Sequence, residues 1–296
     1  MRKLLWLIVM GIGSLGNALW AQEDEESVNI QAYTPSVLLR PGQWEFKHFN
    51  NLYTQTKFFS GTERVSAGQR QSFLTSINQF FIGVHPKFNV GLEVWLNSTR
   101  YDTENSSAFK TYTFADSPNH RTALSYLGPK IKFAPFRNFE RFSIQSTFLF
   151  PIANNLTGNE EKPGIFVADD RYLWINQFFV DWNLGEKFQV FAQVSTWLSL
   201  DRYPRDASNS RRFDLPLTAF LSYFPTPRWT IYLQQEFWNR FNQNDTFSYF
   251  YQPGLGLKFQ AIPGLLELES SYTNFLLGKN EGAGQTFNVG IRIIRQ

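Results

Sequence analysis

Residues 187–201 read KFQVFAQVSTWLSLD, and their polarity alternates almost step by step. The even positions Phe188, Val190, Ala192, Val194, Thr196, Leu198 and Leu200 are mostly apolar, whereas the odd positions include Lys187, Gln189, Gln193, Ser195, Ser199 and Asp201. Successive side chains of a β-strand point to opposite faces, so the stretch describes a strand with one apolar and one polar face. It continues well past the usual strand length of about five or six residues.

The same rule separates Phe88, Val90, Leu92, Val94 and Leu96 from Asn89, Glu93 and Asn97, and Phe287, Val289, Ile291 and Ile293 from Asn288 and Arg292. Applied along the chain it predicts strands at 43–59, 70–84, 87–101, 122–134, 139–150, 171–184, 187–201, 212–224, 228–241, 246–260, 264–277 and 285–295. Segments 70–84 and 246–260 are weakly patterned, which leaves ten or fourteen strands open beside twelve. Pro129, Pro216 and Pro253 fall inside segments, where each removes a ladder donor and marks a candidate bulge.

The connections alternate in length. Tight ones at 85–86, 135–138, 185–186, 225–227 and 261–263 are interleaved with mostly longer ones at 60–69, 102–121, 151–170, 202–211, 242–245 and 278–284. A transmembrane barrel has this parity, with short turns on the periplasmic rim and longer loops outside. Aromatic residues gather at both sets of connections, among them Trp44, Phe136, Phe188, Phe224 and Trp229 beside the turns, and Phe58, Phe150, Trp174 and Phe241 near the loops. Rings of this kind settle at the two interfaces of a bilayer.

Met1 to Lys3 is basic, Leu4 to Leu15 is nearly all apolar or glycine, and Ala18-Leu19-Trp20-Ala21 offers a small residue at a cleavage point. Residues 1–21 therefore read as a secretory signal peptide. No later run is long and apolar enough for a transmembrane helix, so an exported chain that enters a membrane must close its strands into a barrel. The 296 residues contain 31 Phe, 12 Tyr and 9 Trp but no Cys, which excludes disulfides, thiol nucleophiles and thiolate metal sites. A net charge of +3 without a basic run gives no nucleic-acid partner. The expected architecture is all-β: a closed antiparallel up-and-down transmembrane barrel of about twelve strands over 43–296, preceded by a periplasmic lead-in at 22–42. Both termini are then periplasmic, and the partners are outer-membrane lipid of a Gram-negative cell and the outer-membrane assembly machinery during biogenesis.

With the apolar register on lipid, Lys47, Glu93, Lys130, Lys132, Asp181, Glu236, Arg240, Lys258, Glu267, Glu269 and Arg292 point inward and become candidate pore-lining residues. Twelve strands about 4.8 Å apart and tilted about 40° enclose a cylinder of roughly 12 Å backbone radius. Inward Trp95, Tyr126, Phe191, Trp197 and Tyr232 narrow it. The leading expectation is a narrow, charge-lined passage for a small solute. A non-conducting structural or surface-interaction barrel is second, with the interior charges merely paired, and a lipid-modifying enzyme is third.

Catalytic and metal signals are weak. The histidines His48, His85 and His120 are scattered, and no His-x-Ser triplet of the outer-membrane phospholipase kind occurs. His120 lies near Ser117 and Ser125 by chance spacing. Asp169 and Asp170 with Glu160 and Glu161 offer a weak loop site for calcium, and Gly254-Leu255-Gly256 and Gly282-Ala283-Gly284 lack the setting that phosphate binding needs. No catalytic residue, metal or cofactor is expected.

Several stretches resemble small, uncharacterised outer-membrane barrels of the Bacteroidetes group, often described only as transporters or porin-like. They are Pro41-Gly42-Gln43-Trp44-Glu45-Phe46-Lys47 with Asn50-Asn51-Leu52-Tyr53-Thr54-Gln55, Gly128-Pro129-Lys130-Ile131-Lys132-Phe133, Leu221-Ser222-Tyr223-Phe224-Pro225-Thr226 before Arg228-Trp229-Thr230, and Tyr272-Thr273-Asn274-Phe275 with Gly284-Gln285-Thr286-Phe287-Asn288. The resemblance spans nearly the whole mature chain and implies a shared fold, with no chemistry attached. A looser similarity links the chain to a porin-like family associated with phenol-degradation operons. The final Ile294-Arg295-Gln296 departs from the terminal Phe of many outer-membrane barrels.

Overall fold

Each alternating segment becomes an antiparallel strand: β1 (Trp44–Ser60), β2 (Glu63–His85), β3 (Phe88–Asp102), β4 (His120–Phe133), β5 (Phe142–Pro151), β6 (Arg171–Leu184), β7 (Phe188–Asp201), β8 (Arg212–Thr226), β9 (Trp229–Asn242), β10 (Phe247–Ile262), β11 (Leu266–Asn274), β12 (Leu277–Lys279) and β13 (Gln285–Arg295). The computed structural model describes residues 36–139, 141–158, 165–202, 212–242 and 247–295. The expected signal peptide, Glu160 and Glu161 lie outside the described residues.

Both β11 and β12 pair with β10, so they are consecutive parts of one broken pass, and the wall has twelve strands. Strand β13 pairs with β11 on one side and with β1 on the other, in a register running from Trp44↔Arg295 to Thr54↔Gln285. The ring therefore has no free edge, and every wall strand has a hydrogen-bonding neighbour on each side. The weakly patterned segments are full strands, β2 and β10.

The barrel has a turn rim, where Trp44 enters and Arg295 leaves, and a loop rim opposite. One expected loop is corrected. Residues 60–69 are mostly strand, because β2 begins at Glu63 and Gly61, at φ +58°, reverses the chain. A hairpin that projects beyond an apolar zone is wetted on both faces, and its sequence loses the alternation that marks strands elsewhere. The prolines are also corrected as bulge markers. Register shifts lie between Gln55 and Lys57, Gly83 and His85, Trp95 and Leu96, Tyr223 and Thr226, and Gln260 and Ile262. Pro129 and Pro216 instead sit where the ladders to β5 and β7 skip residues without changing register, as the missing N–H would allow.

The two faces separate as the period of two requires. On β7, Phe188 is 44% and Val194 43% exposed, against 6% for Phe191 and 0% for Ser195. Leu92, Leu233, Leu255 and Val289 continue the exposed apolar wall. Such a continuous apolar surface needs an apolar surrounding. Phe224 departs from the expected aromatic belt, because it is buried. On one sector the outside is covered by protein: a short 3-10 helix, Ala108–Thr113, folds down so that Ala108 packs on Leu52 and Leu74.

Candidate functional site in the barrel lumen

The turn-rim mouth of the barrel is occupied by the chain's own lead-in. Residues 36–42 run along the inner wall: Ser36 Oγ donates to Asp181 Oδ2 at 2.6 Å, and Lys132 Nζ donates to the Val37 carbonyl at 2.6 Å. Leu39 is buried against Phe81 and Ile294, and the Asn89 amide faces the Leu39 backbone. The path needs a glycine in β2, since a Cβ at Gly83 would lie 2.2 Å from the Arg40 carbonyl oxygen. The Gly42 and Gly83 amides donate to the Gly83 and Gln43 carbonyls, each at 2.8 Å.

Above this floor lie two cavities, about 180 Å³ and about 260 Å³, which share Lys47, Gln79, Gln193 and Arg292 in their walls. The smaller one also touches Val37, Leu39, Glu45 and Lys132, and the larger touches Tyr232, Lys258, Glu267 and Glu269. Higher still, aromatic side chains meet across the lumen. Trp95 on β3 and Trp197 on β7 meet with ring centroids 6.1 Å apart although three strands separate them in the wall, so their contact crosses the interior. Rings continue from Trp197 to Trp238 at 5.1 Å, Trp238 to Phe250 at 5.7 Å, Phe250 to Phe275 at 4.4 Å and Phe275 to Tyr53 at 5.0 Å. Leu156, Val167 and Ala168 of the loop after β5 fold in and pack with Trp95, Tyr126, Leu149, Leu173 and Ile175.

The eleven residues read as inward all have polar partners. Lys130 is joined to Glu93, both buried, and Lys47 lies 3.6 Å from Glu45. Arg292 grips Glu45 at 2.6 Å, and Lys258 lies 3.8 Å from Glu267 and 3.4 Å from Glu269. Lys132 and Asp181 hold the N-terminal segment as described. Glu236 accepts from Gln252 at 2.8 Å and Gln234 at 3.3 Å. Arg240 pairs with Asp214 at 3.4 Å and Glu281 at 2.6 Å at the loop rim, away from the cavities. The structure thus brings Lys47, Lys132, Lys258, Glu267, Glu269 and Arg292 to the cavities; Glu93, Lys130, Asp181, Glu236 and Arg240 stand outside their linings.

Sequence reading missed Glu45, Asp214, Glu281 and the ring of Trp238. Glu45 was recoverable, since it shares its strand face with Lys47. Glu281 lies beyond β12, where periodicity says nothing.

The remaining chemistry-bearing groups have partners of their own. His120 bonds Ser98 Oγ at 2.8 Å, rather than the side chain of Ser117 or Ser125, but both residues are fully buried beneath the 3-10 helix. The other imidazole nitrogen faces Arg100 at 3.5 Å, where a proton relay would require an acceptor. His48 bonds Asn78 and Asn50, each at 2.8 Å, and His85 accepts from the Lys87 amide in a turn. Asp169 and Asp170 are held by Arg212 at 2.8 Å and Arg202 at 3.2 Å. A Cβ at Gly256 would strike the Tyr232 ring, so this glycine makes room for a tyrosine whose hydroxyl donates to Glu269 at 2.7 Å.

No protein-family model and no curated protein sequence matches the chain. Among solved structures it is similar to an outer-membrane channel from Pseudomonas putida F1, at 12% identity and a TM-score of 0.66 over 93% of this chain and 100% of that one. It is also similar to the beta domain of the Bordetella autotransporter BrkA, at 11% identity and a TM-score of 0.54 over 85% and 99% of the two chains. At these identities the likeness is one of fold.

Proposed function

We propose that this chain is an exported outer-membrane barrel that passes a small solute through a narrow lumen. On this reading residues 1–21 are the signal peptide, the turn rim and both termini face the periplasm, and outer-membrane lipid contacts the apolar wall. The observation that carries it is the pair of adjoining cavities inside the barrel, which share Lys47, Gln79, Gln193 and Arg292 in their walls. A lumen built only for stability would close its space with side chains, as happens at the level of Trp95 and Trp197. The shared fold with a solved outer-membrane channel supports the same reading.

On this account the N-terminal segment and the aromatic layer are the two constrictions. Single-channel recording on refolded protein tests it: small, discrete openings are expected in the wild type, and larger ones after deletion of residues 36–41. Failure of both proteins to conduct or to swell solute-loaded liposomes would reject passage. That each of the eleven interior residues has a polar partner favours the second reading, a non-conducting barrel, which that result would support.

A further inference from the structure

The outer face of the barrel carries a polar island. On β1 the outward register contains His48 and Asn50, and on β2 it contains Asn78 and Ser76, paired as His48↔Asn78 and Asn50↔Ser76. The opposite register belongs to the lumen: Lys47 and Gln79 line both cavities, and Ile77 packs against the cluster of Trp95. His48 stands beside Lys47 and Phe49 in the lining of the larger cavity, yet its ring bonds Asn78 and Asn50 of the outer face, each at 2.8 Å. Apolar residues enclose the island. Val289 and Ile291 of β13 lie level with Asn50 and His48, and Val94 and Leu96 of β3 lie level with Asn78 and Ser76. Phe46 and Phe80 follow toward the turn rim, and Leu52 and Leu74 toward the loop rim. A strand crosses a bilayer in about 9–11 residues, and His48 and Asn50 fall midway between Trp44 and Thr54, so the island stands near the middle of the membrane.

We propose that the island is the centre of a contact with a second copy of this chain, related by a two-fold axis. The inference rests on the apolar wall lying in lipid and is independent of conduction. Hydrocarbon offers no hydrogen-bond partner, so amides left half-bonded there carry a cost that association removes. A neutral imidazole donates through one nitrogen and accepts through the other. It therefore holds one asparagine by its carbonyl and the other by its amide, as Asn78 Oδ1 and Asn50 Nδ2 are held here. Among the described residues, neither the Asn78 amide nitrogen nor the Asn50 carbonyl oxygen has a further side-chain partner, and both residues are only half-buried. Each copy thus presents a spare donor and a spare acceptor on adjacent strands. The set is self-complementary, because a two-fold axis lets Asn78 of each copy donate to Asn50 of the other. An acyl chain offers neither group. Val289, 53% exposed beside Asn50, supplies an apolar rim to the contact. The short 3-10 helix stands on the same wall over Leu52 and Leu74, and its exposed Phe109 adds an aromatic ledge.

The test compares the refolded wild type with a triple variant, His48→Leu, Asn50→Leu and Asn78→Leu, which removes donors and acceptors together and leaves an apolar wall. Sedimentation equilibrium in density-matched micelles should give a dimer for the wild type. The triple variant should stay folded, with its dimer dissociation constant raised roughly tenfold or more. Val289→Cys keeps every hydrogen bond of the island and covers the case in which the triple variant does not fold. Pulsed electron paramagnetic resonance in vesicles should find a short distance between copies spin-labelled there. Labels at Leu221→Cys, on β8 six strands from β2 and bordered by Val190 and Leu233, should lie farther apart by at least a barrel diameter. A wild type that sediments as a monomer or a trimer, a dimer that the triple variant keeps, or label distances that do not distinguish the two walls would overturn the assignment.

Discussion

Arg292 in the last strand and Glu45 in the first are joined across the seam that closes the barrel, Nη2 lying 2.6 Å and Nε 2.7 Å from the same carboxylate oxygen. The contact spans 247 positions of sequence, so it forms only when the ring is complete. A carboxylate placed here also faces Lys47, and its removal leaves buried cations uncompensated. Glu45→Gln should lower the unfolding free energy by about 3–5 kcal/mol in denaturant titrations from lipid vesicles. Glu45→Gln with Arg292→Met should cost less than the sum of the single changes, and strict additivity would deny the coupling.

The floor of the lumen gives the second prediction. Gly83→Val sets a side chain where the Arg40 carbonyl lies and should lift the N-terminal segment from the wall. Larger single-channel openings and faster proteolysis near Leu39 are expected while the barrel stays folded; unchanged conductance would show that this segment is no constriction.

The fold was largely legible because the solvent on the two sides of a barrel wall differs, and a period of two records that difference residue by residue. Segment 187–201 shows it plainly, and β7 follows within a residue. Where the difference disappears, as at 63–69 on the projecting hairpin, the pattern fails. The interior was half legible. Periodicity says which residues turn inward, but not that Trp95 and Trp197 meet across the lumen or that Arg240 joins Glu281, because neither pair lies on neighbouring strands. The N-terminal segment was read only as a polar lead-in; its place in the mouth depends on Lys132, Asp181 and Gly83, far away in sequence.

The aromatic layer gives a third prediction. Trp197 touches both Trp95 and Trp238, so Trp197→Ala should open the aromatic level above the cavities and raise conductance on the order of twofold. A reduced or unchanged conductance would place the resistance elsewhere.

The wall gives a fourth. Val194 is exposed on the apolar face and Gln193, next to it, borders the cavities. Val194→Arg should cost about 2–4 kcal/mol near the bilayer midplane, while Gln193→Arg should cost markedly less. Equal costs, measured by guanidinium unfolding from vesicles, would mean that the two positions do not face different media.

The lipid-facing alternation itself is most directly read by spin labels. The sequence has no cysteine, so each single Cys introduced at 188–200 carries a unique label. In vesicles, collisions with oxygen should peak at the even positions and fall at the odd ones along β7, with a period of two. A flat profile, or even positions reached as readily by a water-soluble nickel reagent as by oxygen, would contradict a barrel whose apolar face lies against lipid.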